Sequence, residues 1–179
     1  LLEKLSSLSG LRRGFLCNSG TEAVEGAFKF ARVTTEKTDI IATMRGFHGR
    51  TMGALAATWK KDYRTPFEPL MPGVTHVPYN NFEKLKNAVT DKTAAIILEI
   101  VQGEGGIIPG DKAYFKAVRE LCDERKIVLI FDEVQTGFGR TGKMFAWKHY
   151  GIKPNIMTLA KSIAGGLPMG AIMCDDTIE

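Results

Sequence analysis

The sequence predicts an α/β fold in which helices flank a mostly parallel, mixed sheet. Short apolar runs alternate with amphipathic segments along the chain, and this alternation favours a parallel sheet. Several runs are nearly continuous in Ile, Val and Leu, as expected for strands that are covered on both faces. Glycines follow many of these runs, which is the place where open α/β sheets bind ligands.

Seven segments have the length and composition of buried strands. They are residues 14–17, 39–43, 74–77, 94–100, 127–131, 156–159 and 171–174. Apart from the strand at 74–77, the proline-containing stretch 65–78 is expected to be a long irregular connection. We find no internal repeat and no interdomain linker, so residues 1–179 are expected to form one domain.

Three segments have the periodicity of amphipathic helices. Residues 21–33 place the i,i+4 pair Glu25 and Lys29 opposite an apolar side, residues 113–125 repeat the pattern, and residues 82–89 form a shorter helix. The apolar positions are Ala23, Val24, Ala27, Phe28 and Ala31 in the first helix, and Phe115, Val118, Leu121 and Cys122 in the second.

Composition argues against several classes of protein. The chain has 179 residues, of which 44% are hydrophobic and 25% charged, and no apolar run reaches the ~18 residues that cross a bilayer. The net charge of +4 comes from 24 basic and 20 acidic residues that are scattered, so we expect neither a nucleic-acid nor a membrane partner. The three cysteines and three histidines lack metal-ligand spacing, which predicts no metal site and a reducing, cytoplasmic location.

The segment Asn-Ser-Gly-Thr-Glu at 18–22 follows the first strand and opens the first predicted helix. Free backbone amides at a helix N-terminus bind anions, and Gly20 allows an anion to approach the backbone closely. The hydroxyl of Thr21 is a further donor. Simple helix capping explains the same residues equally well, so both interpretations stay open here.

A pair of carboxylates ends the apolar strand 127–131. Asp132 and Glu133 are followed within two residues by Gln135 and then by a glycine-rich turn. A carboxylate at this position could hold a ligand cation or act as a base. The alternative is an aspartate that caps the next turn.

Lys161 follows the strand 156–159 and precedes a glycine-rich turn. Partial burial of a lysine favours its neutral amine, which is a nucleophile for Schiff-base formation. The alternative is a solvated lysine at a strand end, which is the usual case for any one lysine.

Two further loops combine charge with glycine. Phe47 and Arg50 lie in a glycine-flanked loop, where they offer a flat stacking surface and a clamp for a carboxylate. Glu99 and Glu104 end another apolar strand beside three glycines. Core packing of the aromatic ring, a solvated arginine and a polar turn are the alternatives.

All five polar segments follow strands, and the carboxyl ends of parallel strands meet at one edge of a sheet. A single pocket therefore accounts for all of them. An anion-binding loop, a carboxylate, an aromatic side chain and an amine are the groups needed to hold pyridoxal phosphate.

With these motifs in this order, the chain resembles the class-III aminotransferases of the acetylornithine and ornithine type, which are fold-type I pyridoxal-phosphate enzymes. The resemblance runs from Phe15 to Met173, and Asp132 and Lys161 are 29 positions apart (161 − 132), as in the family. Family subunits are about twice as long, and this chain begins without Met. We therefore expect residues 1–179 to be a partial subunit, the major part of the cofactor-binding large domain.

The resemblance implies roles around the cofactor ring. Lys161 corresponds to the lysine that binds pyridoxal 5'-phosphate covalently and then moves the substrate proton. Asp132 corresponds to the partner of the pyridine nitrogen. Val134 and Phe47 would contact the two faces of the ring, and Gln135 would bond its phenolic oxygen.

The resemblance also implies residues for the phosphate and the substrate. Gly20 and Thr21 correspond to phosphate donors. Arg50 corresponds to a clamp for a substrate carboxylate. Glu104 resembles the glutamate that pairs with an arginine from a later domain and switches between two substrates.

The implied reaction moves the terminal amine of acetylornithine, or of a close diamino acid, to 2-oxoglutarate in arginine- or lysine-type amino-acid biosynthesis. The implied full-length protein is a homodimer. Four related alternatives stay open, because the loop around Arg50 occurs in several relatives: a 4-aminobutyrate aminotransferase, an ornithine aminotransferase, a glutamate-semialdehyde aminomutase, and an enzyme for a carrier-protein-linked lysine. A truncated, non-catalytic fragment is the alternative from another class, and a dehydrogenase is disfavoured because no GxGxxG opens a helix.

Overall fold

The computed structural model describes residues 1–178, which contain a central sheet with helices on both faces. In chain order the strands are β1 Arg13–Cys17, β2 Asp39–Thr43, β3 Val74–Val77, β4 Thr93–Glu99, β5 Val101–Gln102, β6 Ile108–Pro109, β7 Val128–Asp132, β8 Ile156–Leu159 and β9 Gly170–Cys174. The α-helices are α1 Leu2–Ser9, α2 Gly20–Thr35, α3 Met52–Ala57, α4 Lys61–Arg64, α5 Phe82–Ala88 and α6 Lys112–Arg125. Single 3₁₀ turns cover Thr65–Phe67, Ala146–His149 and Lys161–Ala164.

Seven strands form one mixed sheet in the order β1-β9-β8-β7-β4-β2-β3, and β5 and β6 form a separate small pair. The strands from β8 through β7, β4 and β2 to β3 pair in parallel, while β9 is antiparallel to both β8 and β1. The strands β1, β2, β4, β7 and β8 therefore all end at the same edge, where β9 begins. This arrangement confirms the predicted fold class.

The core lies on both faces of the sheet because neighbouring residues of a strand point to opposite sides. In β4, Ile97 packs in a cluster with Phe28 of α2, whereas Ile96 packs in a second cluster with Phe115 of α6. All seven residues of β4 are buried as a result. A third cluster places Leu5 of α1 against the β8–β9 end of the sheet.

The apolar face of α2 is buried as its periodicity predicts, but the expected Glu25–Lys29 pair does not form. The carboxylate of Glu25 instead accepts hydrogen bonds from the start of α3. An exposed i,i+4 ion pair contributes only a few tenths of a kcal/mol, so backbone donors outcompete it. The buried residues of this helix are Ala23, Val24, Ala27, Phe28 and Ala31.

Several short elements of the fold were not expected from the sequence. Neither α1, α3, α4 nor the β5–β6 pair was predicted, since the helices span about one or two turns without a continuous apolar stripe and the two strands have two residues each. Across residues 1–178, no helix has both the length and the apolar character to span a membrane.

Phe115→Ala is expected to destabilise the protein by about 3–5 kcal/mol, because it leaves a cavity in the core. The Phe115 side chain is 0% exposed and its ring centroid lies 5.6 Å from that of Phe131 and 4.9 Å from that of Tyr150. Chemical unfolding measures the change. Phe67→Ala is the matched control, because Phe67 is 58% exposed, and a loss of equal size in both variants would contradict this account of the core.

Candidate active site

A cavity of about 730 Å³ lies at the edge of the sheet where the five strands end. Loops after β1, β2, β4, β7 and β8 contribute to its wall, together with the segment that precedes β9. Every residue predicted for the site lines it, namely Gly20, Thr21, Phe47, Arg50, Glu104, Asp132, Val134, Gln135 and Lys161. The structure thus brings together positions that are up to 141 residues apart in sequence (161 − 20).

The loop before α2 caps the helix and also leaves donors for an anion. Ser19 is the N-cap and its hydroxyl accepts from the amide of Glu22 at 3.3 Å, while the Glu22 carboxylate accepts from the amide of Asn18 at 2.6 Å. The amides of Gly20 and Thr21, the first two residues of α2, have no intrahelical carbonyl to bond. Capping and anion binding, which the sequence left as alternatives, are therefore compatible here.

Gly20 is required by the close approach of α2 to the loop after β7. A Cβ atom at Gly20 would lie 3.0 Å from Cγ1 of Val134, closer than a carbon–carbon contact normally allows. Glycine therefore lets the positive end of the α2 dipole sit beside Val134, at the wall of the cavity.

Asp132 ends β7 and is held by three donors. Its Oδ1 accepts from the amide of Val134 at 3.1 Å and from the hydroxyl of Thr158 at 3.0 Å, and its Oδ2 lies 2.8 Å from Nδ1 of His48. Only 4% of Asp132 is exposed. The orientation of the carboxylate is consequently fixed before any ligand binds.

His48 is a site residue that the sequence analysis missed. Burial lowers the pKa of its imidazole, but the hydrogen bond to Asp132 and the charges of Asp132 and Glu99 outweigh that effect, so the pKa is raised. A raised pKa favours the imidazolium beside the Asp132 carboxylate. Its Nε2 has no hydrogen-bond partner among residues 1–178. The signal that could have identified it is its place directly after Phe47.

Glu99, the last residue of β4, joins two loops of the site. Its carboxylate accepts from the amide of Phe47 at 3.1 Å and from the amide of Gly103 at 3.4 Å. Burial raises the pKa of Glu99 to about 7, against the opposing charge of His48. The strand-end glutamate is thus more than part of a polar turn, because it fixes the backbone at Phe47.

The outer part of the cavity is lined by Phe47, Tyr63 and Glu104. The ring of Tyr63 meets Phe47 edge to face with centroids 6.2 Å apart, and its hydroxyl donates to the Glu104 carboxylate at 3.2 Å. Arg50 and Glu104 are both exposed. Gln135 is exposed and packs against Gly103. A Cβ atom at Gly103 would overlap the side-chain amide of Gln135. Tyr63 was not predicted as a site residue.

Lys161 begins the 3₁₀ turn after β8 and lines the same cavity as Asp132. Its φ of 47° lies in the left-handed region, which costs a non-glycine residue about 1–3 kcal/mol and is concentrated at functional sites. Of the two alternatives for Lys161, partial burial and a solvated lysine at a strand end, the structure shows the exposed one. Gly165 and Gly166 in the turn that follows Lys161 are exposed as well.

The second carboxylate of the pair after β7 has a structural task. Glu133 is fully buried and accepts from the amides of Ala146 and Trp147 at 2.9 and 2.8 Å and from the hydroxyl of Thr136 at 2.7 Å. Burial raises the pKa of Glu133, and these three bonds oppose the rise. Within the described chain no three His, Cys, Asp or Glu residues are grouped to bind a metal ion.

The donor set fits pyridoxal phosphate. The start of α2 offers amides and a hydroxyl for a phosphate, Asp132 offers a fixed and buried carboxylate for a ring nitrogen, and Lys161 offers an amine on the same cavity. These features at the carboxyl edge of a mostly parallel sheet are typical of a pyridoxal-phosphate enzyme of fold type I.

Comparison with known proteins establishes the family. The family model "Aminotransferase class-III" matches residues 1–179, and the chain belongs to this family, whose cofactor is pyridoxal phosphate. The chain is 57% identical to the acetylornithine aminotransferase of Methanocaldococcus jannaschii over 184 residues, covering 99% of this chain and 46% of that protein.

Two further proteins, one compared by sequence and one by structure, are also similar to the chain. A putative LysW-aminoadipate semialdehyde/glutamate semialdehyde transaminase of Pyrococcus horikoshii is 49% identical over 100% of this chain and 49% of that protein. The ornithine aminotransferase of Toxoplasma gondii, whose active site holds pyridoxal phosphate at partial occupancy, superposes with a TM-score of 0.93 at 32% identity, covering 99% of this chain and 44% of that one. The chain spans about half the length of the curated relatives it matches.

Glu99→Gln is expected to remove a pH dependence of stability. The pKa of Glu99 rises from its ordinary 4.5 to about 7 on folding, so between these values the folded protein keeps a proton that the unfolded chain has released. The free energy of unfolding contributed by Glu99 therefore falls as the pH rises from 4.5 to about 7. Glutamine does not titrate, so chemical unfolding of the variant should lack this decrease.

The exposed Glu83 supplies the control, since Glu83→Gln should leave the pH dependence of unfolding as in the wild type. The raised pKa would be contradicted if the difference in free energy of unfolding between the wild type and Glu99→Gln stayed constant from pH 4.5 to about 7.

Proposed function

We propose that the protein containing this chain transfers the terminal amine of acetylornithine, or of a close diamino acid, to 2-oxoglutarate in amino-acid biosynthesis of the arginine or lysine type. The observation that carries the proposal is the single cavity shared by Lys161, Asp132 and the start of α2. The 57% identity to an acetylornithine aminotransferase supports this choice of amine donor.

When bound, pyridoxal phosphate supplies an aldehyde that reacts with amines and a ring that accepts an electron pair from the substrate. Asp132 would hold a proton at the ring nitrogen, because its carboxylate is fixed in place and would accept a hydrogen bond from the protonated nitrogen. Val134 and Phe47 would contact the two ring faces. Gln135 would donate to the phenolic oxygen.

The phosphate would be held by Gly20 and Thr21, through two amides and a hydroxyl at the positive end of the α2 dipole. The amine of Lys161 would bind the cofactor and then, when free, take a proton from the amine-bearing carbon of the substrate and deliver it to the cofactor. One positioned amine suffices for this transfer, because the group that accepts the proton as a base can then donate it as an acid.

Arg50 would bind a substrate carboxylate bidentately, since its guanidinium is exposed at the cavity wall. Glu104 would act as the switch between the two substrates by pairing with an arginine from elsewhere in the subunit. The hydrogen bond from Tyr63 to Glu104 would hold the carboxylate in one of its two positions.

We also propose that residues 1–179 are the major part of the cofactor-binding large domain and that the full-length protein is a cytoplasmic homodimer. The relatives are about twice as long as the chain, which supports a partial subunit. Leu167 lines the cavity and is 72% exposed. Contact with a second subunit would bury this apolar side chain.

A carrier-protein-linked donor is a second candidate, favoured by the 49% identity to the LysW-linked transaminase of Pyrococcus horikoshii. The reacting end of such a donor resembles that of acetylornithine. Steady-state rates of the full-length protein with acetylornithine, ornithine, 4-aminobutyrate and a carrier-linked amine separate these options. A faster rate with any donor but acetylornithine would replace the proposed one.

Lys161→Ala is expected to abolish both transamination and the visible absorbance of the lysine-bound cofactor, because no other amine would bind it covalently. The measurement is an absorption spectrum of full-length protein with added pyridoxal phosphate. Lys92→Ala, at the opposite edge of the sheet before β4, is the control and should leave the spectrum unchanged. An unaltered spectrum in Lys161→Ala would reject the assignment of this lysine.

Arg50→Gln is expected to raise the KM for acetylornithine about 10- to 100-fold, because a hydrogen bond to a charged group contributes about 1.5–3 kcal/mol. Steady-state kinetics measure the change. The exposed Arg140 provides a control of the same residue type, and Arg140→Gln should keep the wild-type KM. A KM that is unchanged in Arg50→Gln would remove Arg50 from the substrate site.

A further inference from the structure

A chain of hydrogen bonds joins the start of α2 to the loop that carries Arg50. The hydroxyl oxygens of Thr21 and Thr51 lie 2.7 Å apart, and the amide of Thr51 donates to the Thr21 hydroxyl at 3.3 Å. The Thr51 hydroxyl donates its own proton to Oε1 of Glu25 at 2.6 Å. The proton shared by the two hydroxyls therefore comes from Thr21.

The carboxylate of Glu25 also fixes the first turn of α3. Its Oε1 accepts from the amides of Gly53 at 2.8 Å and Ala54 at 3.1 Å, in addition to the Thr51 hydroxyl. Thr51 is the N-cap of α3 but makes no side-chain cap bond of its own. A residue of α2 thus takes the place of the missing cap.

Two glycines permit the close approach that these bonds need. A Cβ atom at Gly49 would overlap the Thr21 hydroxyl, and one at Gly53 would overlap the Glu25 carboxylate. Gly49 also has a φ of +142°, a backbone conformation that residues other than glycine rarely adopt. Arg50 lies between Gly49 and Thr51, so its backbone is placed relative to the start of α2.

We propose that Glu25 and Thr51 are positioning residues that couple the phosphate-binding start of α2 to the carboxylate-binding Arg50. Neither residue is among those that line the cavity in the described chain, so both act through neighbours. The inference rests on the proposed function, which assigns the phosphate to Thr21 and the substrate carboxylate to Arg50.

Two hydrogen bonds remain when Thr21 turns its hydroxyl proton towards a phosphate, and these bonds provide the coupling. The oxygen of Thr21 still accepts from the Thr51 amide, and Thr51 still donates to Glu25. An anion at the start of α2 therefore restricts Thr21, and through Thr51 it restricts the backbone of Arg50. Loss of the link should weaken binding of cofactor and substrate together.

The test uses the full-length enzyme, three variants of the linked residues and one control variant. Thr51→Val removes the hydroxyl at constant volume, Thr51→Ser keeps it, and Glu25→Gln removes the charge. We expect Thr51→Val and Glu25→Gln each to raise both the Kd for pyridoxal phosphate and the KM for acetylornithine about fivefold, with kcat within about twofold of wild type. Thr51→Ser should restore both constants, and the exposed Lys29→Ala on the same helix is the control.

Wild-type values of both constants in Thr51→Val and Glu25→Gln would overturn the proposal. It would also be overturned if Thr51→Ser failed as Thr51→Val does, or if only the thermal midpoint fell, because the residues would then serve local stability alone. These outcomes differ from failure of the proposed function, in which the wild-type enzyme itself would bind no pyridoxal phosphate.

Discussion

The carboxylate of Asp132 is buried at the end of a central strand, and three donors from three different segments hold it there. Val134 follows it in the chain, Thr158 lies on the neighbouring strand, and His48 comes from the loop after β2. A buried carboxylate is stable only when such partners compensate for the loss of water. The site therefore depends on contacts that also hold three strand ends together, so the fold and the binding site are fixed by the same interactions.

The direction of the strands explains why one cavity contains so many different groups. Six strands run the same way, and five of them deliver a helix start, an aromatic side chain, two carboxylates and a lysine to one edge. The antiparallel strand β9 adds the apolar segment that precedes it. Glu99 then joins the loops of Phe47 and Gly103, and Glu25 joins the loops of Thr21 and Thr51. Neighbouring loops are thereby fixed to one another as well as to the sheet.

The seven strands of the main sheet and the apolar face of α2 could be predicted because they depend on local apolar runs and on helical periodicity. Nine of the residues that line the cavity could be predicted as well, since they lie in loops that follow apolar runs, whereas His48 and Tyr63 were missed. The contact of His48 with Asp132 spans 84 positions and that of Phe47 with Glu99 spans 52, and nothing local in the sequence indicates either. The left-handed φ of Lys161 and the choice of Glu25 for α3 instead of Lys29 depend in the same way on tertiary geometry.

The central claim is that one pyridoxal phosphate is bound between Lys161 and Asp132. A crystal structure of the full-length protein grown with the cofactor tests it most directly. We expect continuous density between Nζ of Lys161 and the cofactor, with the ring nitrogen about 2.7–3.2 Å from a carboxylate oxygen of Asp132. Density that links the cofactor to another lysine, or a ring nitrogen directed away from Asp132, would contradict the account.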